Sequence, residues 1–97
     1  MSVIAQFSIF PVDKGESLSE YVAGSVRIIE ESGLPYILGP MGTSIEGQWD
    51  DIMAVISRCF NELAGKSRRV YMSINVDYRK DKDGRLTGKV DSVRKKL

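Results

Sequence analysis

The chain has 97 residues, is 42% hydrophobic and 28% charged, and carries a net charge of +1. That frame suits one modest domain spanning 1–97 and argues against both disorder and a membrane class. The near-neutral balance leaves no basic stripe for nucleic acid, and no uninterrupted apolar run approaches the length of a membrane span.

A single cysteine, Cys59, excludes an internal disulfide. The absence of histidine removes the usual general base, the commonest metal ligand and every Ser-His or Cys-His arrangement. Met1-Ser2-Val3-Ile4-Ala5 has neither a basic leader nor a small-residue cleavage site, so a cytoplasmic location is expected.

In chain order, Ser2 to Val12 alternates as a strand does, with Val3, Ala5, Phe7 and Ile9 on an apolar face and Ile4, Gln6, Ser8 and Phe10 on a mixed one. Pro11, which cannot donate to a ladder, is expected to end it. Ser17-Leu18-Ser19-Glu20 is a capping-box pattern that predicts a helix start. Leu18, Tyr21, Val22, Ser25, Val26 and Ile29 form its stripe; Ser32-Gly33 and Pro35 end it.

Tyr36 to Gly39 and Gly42 to Glu46 then read as the arms of a tight hairpin around Gly39-Pro40-Met41-Gly42. A second helix from about Gln48 to Ala64 has Asp50 and Asp51 in its first turn and Trp49, Ile52, Met53, Ile56, Phe60 and Leu63 on one stripe, with Gly65 as its C′ residue. Arg69 to Arg79 alternates again, Val70, Met72, Ile74, Val76 and Tyr78 against Tyr71, Ser73, Asn75 and Asp77. A charged turn at 80–84 leads to Leu86, Val90, Val93 and Leu97, spaced for a short amphipathic helix.

The order β-α-β-β-α-β plus a C-terminal helix predicts an α+β, ferredoxin-like fold, an antiparallel sheet with both main helices on one face. The other face would then hold Ile4, Gln6, Ser8, Phe10, Tyr71, Ser73, Asn75, Asp77 and Arg79, joined by Ser44 and Glu46 while Thr43 and Ile45 turn inward. Two readings fit that mixed surface. Its polar groups converge on a small-molecule pocket walled by Tyr36, Tyr71 and Met41, or they form a cross-strand network beneath an oligomer interface. Asp50-Asp51 as a metal site is disfavoured because adjacent helix residues diverge. Gly39 to Gly42 lacks the glycine spacing and lysine of a phosphate loop.

Pro40-Met41-Gly42-Thr43-x-Ile45-Glu46-Gly47, taken with Ile4-Ala5-Gln6-Phe7-Ser8-Ile9-Phe10-Pro11 and Ile74-Asn75-Val76-Asp77-Tyr78-Arg79, resembles the small thiamine-binding protein family along nearly the whole chain. The resemblance implies a ferredoxin-like fold and a homotetramer built as a dimer of dimers. It also implies binding of thiamine or its hydroxymethylpyrimidine part, with no catalysis, no resident cofactor and no metal. The ligand-binding set expected on this footing is Gln6, Ser8, Tyr36, Met41, Thr43, Ser44, Glu46, Asn75 and Asp77, with Glu46 as the main polar anchor. The alternative is a structural or regulatory homo-oligomer without a small ligand.

Overall fold

The computed structural model describes residues 2–97. Its elements are β1 (Val3–Pro11), α1 (Ser19–Ser32), β2 (Tyr36–Leu38), β3 (Thr43–Gly47), α2 (Trp49–Ala64), β4 (Val70–Tyr78) and α3 (Arg85–Arg94). The four strands form one antiparallel sheet in the order β2-β3-β1-β4. This is the predicted ferredoxin-like arrangement with its extra C-terminal helix.

Period-two alternation places Val3, Ala5, Phe7 and Ile9 of β1 under the helices, where they are buried with Ile45 of β3. Ile29 of α1 and Ile52, Val55, Ile56, Cys59 and Leu63 of α2 complete this core. Each such isoleucine or leucine, moved out of water, stabilises the fold by about 1.5–3 kcal/mol. Burial also pushes the Cys59 thiol up to about 11, which leaves it a small apolar side chain rather than a nucleophile.

Three local expectations give way to tertiary context, whereas the end of β1 holds: Pro11 is its last residue, still paired with Val70 and buried. The amide of Val12 donates to the Arg69 carbonyl (2.9 Å), so alternation turns the N side of Pro11 toward β3, whose pairing has already ended at Phe7–Thr43. Its missing N–H therefore costs no ladder bond.

The capping box does not form, because Leu18 is the residue before the helix and no side chain caps it. Leu18 is drawn into a cleft described below, which sets the start of α1 one residue late. Its buried stripe is consequently centred on Ser25 and Ile29, with Val22 exposed beside it. Gly33 stops α1 as expected, in the left-handed conformation at φ 77°. Gly65 after α2 instead stays right-handed, so that helix tapers without a left-handed residue.

Of the stripe assigned to α3, only Leu86 is half-buried. Val90, Val93 and Leu97 are exposed, and the residue α3 buries is Arg85. Polar contacts, not an apolar seam, dock this helix on the sheet.

The hairpin cleft and the two ends of the open sheet face

The hairpin is built as its sequence requires. Gly39 donates its N–H to the Gly42 carbonyl (2.9 Å), and Tyr36, Ile37 and Leu38 pair with Ile45, Ser44 and Thr43. Gly42 holds the hairpin tip against β1: a Cβ there would lie 2.9 Å from the Phe7 carbonyl oxygen, at a backbone φ of 157°. That close approach admits glycine alone.

Where the tip, the end of β1 and the start of α1 meet, they enclose a cleft of about 270 Å³. Phe10, Leu18, Val22, Leu38, Pro40 and Met41 form apolar walls, and Ser8 and Thr43 supply hydroxyls. No charged residue lines it. A larger depression of about 780 Å³ lies between the outer surfaces of α1 and α2, but alternating charges line it, among them the Arg58–Glu31 (3.3 Å) and Lys66–Glu62 (2.6 Å) pairs. It is a solvated groove in which those four charges are paired.

The nine residues singled out from the sequence are not one constellation. Ser8, Met41 and Thr43 line the cleft. Gln6, Ser44 and Asn75 lie in a single cross-strand row on the open face, Gln6 opposite both others. The next polar row, Glu46 and Asp77 on either side of Ile4, is under α3. Tyr36 shares the helix side of the sheet with its partner Ile45, and its hydroxyl donates to Glu30 of α1 (3.3 Å). The expectation that Tyr36 walls the open face is thus corrected by register: the strand's period of two assigns that face to Ile37.

Glu46 does belong to the open face, but its carboxylate is committed. It accepts hydrogen bonds from the Ser2 hydroxyl (2.6 Å) and the Arg85 (3.0 Å) and Leu86 (3.2 Å) backbone N–H groups. These are unpaired first-turn donors of α3, so Glu46 caps that helix from a distant strand. With only 6% of its surface exposed, burial works to raise the carboxyl pKa, but the three hydrogen bonds outweigh it and hold the group below the usual range.

Asp77 anchors the same helix through Lys89 (2.6 Å) and Arg85. The Lys89 hydrogen bond, then that of Arg85, keeps its carboxyl low as well. The sequence reading missed Leu18, Val22 and Leu38 as cleft walls and Ser2 and Arg85 as partners of Glu46. The one available signal was Gly84-Arg85, a left-handed glycine opening a helix with no local cap.

Among the described residues no group of three or more His, Cys, Asp or Glu is placed to hold a metal ion, and no helix is long and apolar enough to cross a membrane.

Comparison with known proteins returns a consistent picture. The family model described as thiamine-binding protein matches residues 5–94. A UPF0045 protein of Mycobacterium bovis is 38% identical over 98 residues, covering 100% of this chain and 96% of the relative. The UPF0045 protein YqgV of Bacillus subtilis is 38% identical over 100 residues, covering 97% and 96%. Among solved structures, a hypothetical protein of Methanocaldococcus jannaschii superposes with a TM-score of 0.89 at 30% identity, over 95% of each chain. A candidate thiamine biosynthesis/salvage protein of Thermotoga maritima superposes at 0.84 with 22% identity, over 96% of this chain and 99% of the other, a likeness of fold.

Proposed function

The chain belongs to the thiamine-binding protein family, and from that premise we propose that it binds the aminopyrimidine part of thiamine, or the free hydroxymethylpyrimidine, without transforming it. The observation that carries this reading is the uncharged cleft of about 270 Å³ at the hairpin. A flat aromatic ring gains from apolar walls such as Phe10, Leu18 and Met41, while the Ser8 and Thr43 hydroxyls can each donate to a ring nitrogen or accept from an exocyclic amine. The row Gln6, Ser44 and Asn75 continues from the mouth of the cleft and would meet substituents on the ring. A cationic thiazolium or a phosphate finds no countercharge in the cleft walls, so the pyrimidine supplies the main recognition.

Binding rather than turnover follows from the acid–base inventory. The open-face carboxylates, Glu46 and Asp77, are held below their ordinary range and occupied by α3. A group kept ionised far below neutrality is a weak general base and no general acid at pH 7. In this reading the protein acts in the cytoplasm as a homotetramer, a dimer of dimers, that binds or delivers a vitamin-related molecule.

Calorimetric titration with hydroxymethylpyrimidine, thiamine and thiamine phosphates tests it. Heat with the pyrimidine alcohol and thiamine is expected, lost in Val22→Trp, which fills the cleft from an exposed wall position, and retained in Glu46→Gln. No heat with any of the compounds sinks the proposal. A second reading, an oligomeric protein with no small ligand, is favoured by the exposed apolar residues of β4. It expects silent titrations alongside unchanged assembly in Val22→Trp.

A further inference from the structure

The contacts that dock α3 leave one group unsatisfied. The Arg85 side chain is only 10% exposed, and its Nη2 donates to Asp77. Its Nη1 is shut from water and has no hydrogen-bond partner among the described residues. A buried cationic donor without an acceptor is costly, so its presence calls for an acceptor that those residues do not supply.

There is room for one. Arg85 shares the wall of a cavity of about 160 Å³ with three more cations, Arg79, Lys82 and Lys89, against the single carboxylate of Asp83. Asp77 compensates part of this charge through Arg85 and Lys89, but Arg79 and Lys82 form no ion pair among the described residues. Four cations therefore stand against two carboxylates. The larger groove between α1 and α2 differs, for its three cations face three carboxylates.

The helix keeps the space open. Gly88 stands inside α3 on the cavity wall, where a Cβ would meet no atom within 4 Å. Glycine weakens a helix interior, so here it leaves the wall bare at the expense of local stability. Ser92, one turn further along the same side, adds a hydroxyl to the lining.

We propose that this cavity is a second ligand site, separate from the hairpin cleft, and that it binds a phosphate group, as the free ion or as a small monoester. A phosphate near its dianionic form matches the surplus of two positive charges and offers an oxygen to each of several donors, whereas a carboxylate brings one charge and a planar pair of oxygens. Arg85 supplies the desolvated contact through Nη1. Lys82 and Lys89 are exposed and flexible, so they shift to admit the ion and close on its other oxygens. The first amides of α3 take no part, because Glu46 already accepts from those of Arg85 and Leu86. The site rests on side chains and does not depend on what fills the hairpin cleft.

NMR titration of the intact chain tests it, with inorganic phosphate and glycerol phosphate added separately at fixed ionic strength in a buffer free of other oxyanions. Saturable amide shifts centred on Gly84, Gly88 and Ser92 are expected with at least one of the two, and the compound that responds distinguishes the free ion from the ester. Lys82→Gln should weaken binding about tenfold, the order expected for one charge-assisted contact. Gly88→Glu puts a carboxylate into the cavity while favouring the helix, and should abolish binding. Circular dichroism checks that both variants are folded. Flat titrations with both compounds overturn the proposal, as does a response that chloride reproduces at the same ionic strength. So do saturable shifts centred elsewhere, and affinity unchanged in either folded variant.

Discussion

β1 and β4 are neighbours in the sheet, each nine residues long and paired with one another at every position. Both alternate apolar and polar side chains with the same phase, and both turn their apolar set toward the helices. In β1 that set, Val3, Ala5, Phe7 and Ile9, is buried; in β4 three of its five members are exposed. The difference is one of position in the sheet. Two helices laid on four strands cover the middle and leave an edge, so identical patterns are core in one strand and open surface in the other. Alternation tells which side chains share a face; it does not tell whether anything lies on that face.

The sharpest way to break this contrast is to truncate equivalent positions. Phe7→Ala empties a fully packed site and should cost about 3–5 kcal/mol in denaturant unfolding. Should the loss be no larger than that of Ile74→Ala, described last, β1 would not be the central strand of the core. Gly42→Ala is expected next, at about 2–3 kcal/mol, since the new methyl meets the Phe7 carbonyl of β1 and the hairpin tip must lift. Its companion readout is loss of ligand heat, because the cleft opens with the tip.

Glu46→Gln probes the opposite end of β1, where a strand carboxylate from β3 holds α3. Hydrogen bonds to a charged acceptor are weakened rather than removed, for a loss of about 1.5 kcal/mol. The pH dependence has a definite sign. The folded Glu46 and Asp77 carboxyls lie below their ordinary values, so their contribution is present above the ordinary carboxylate range and is lost as pH falls through the lower folded values. Amide exchange at Arg85 and Leu86 should therefore accelerate on acidification before exchange in β1 does, and Glu46→Gln should remove most of that early step. Simultaneous acceleration throughout the sheet would show that α3 is not held independently.

The smallest effect is expected for Ile74→Ala, about 1 kcal/mol or less in denaturant unfolding, because the side chain is already partly in water. A large loss in the isolated subunit would mean that β4 is covered from within.

Much of the fold was legible. The alternation of β1 and β4, the hairpin at Gly39 to Gly42 and the stop at Gly33 all follow from short-range constraints on φ, ψ and side-chain direction. The site was legible in part. Ser44 and Glu46 were correctly set on the open face with Thr43 turned inward, yet Tyr36 was set on the wrong side because β2 is too short to display its own period. Glu46 looked like a free anchor because its partners, Ser2 and Arg85, are 44 and 39 residues away. The capping box at Ser17 was a sound local pattern, but Leu18, half-buried in the cleft wall, stands at the cap position instead.

Taken by itself, then, the chain determined its strands, helices and turns and the faces of the long strands, since these depend on neighbours a few residues apart. Only the tertiary structure decided which apolar face is covered, which carboxylates are occupied and where an uncharged cleft remains. Those outcomes depend on which element comes to rest over which row of the sheet, a matter of long-range packing that no local period records.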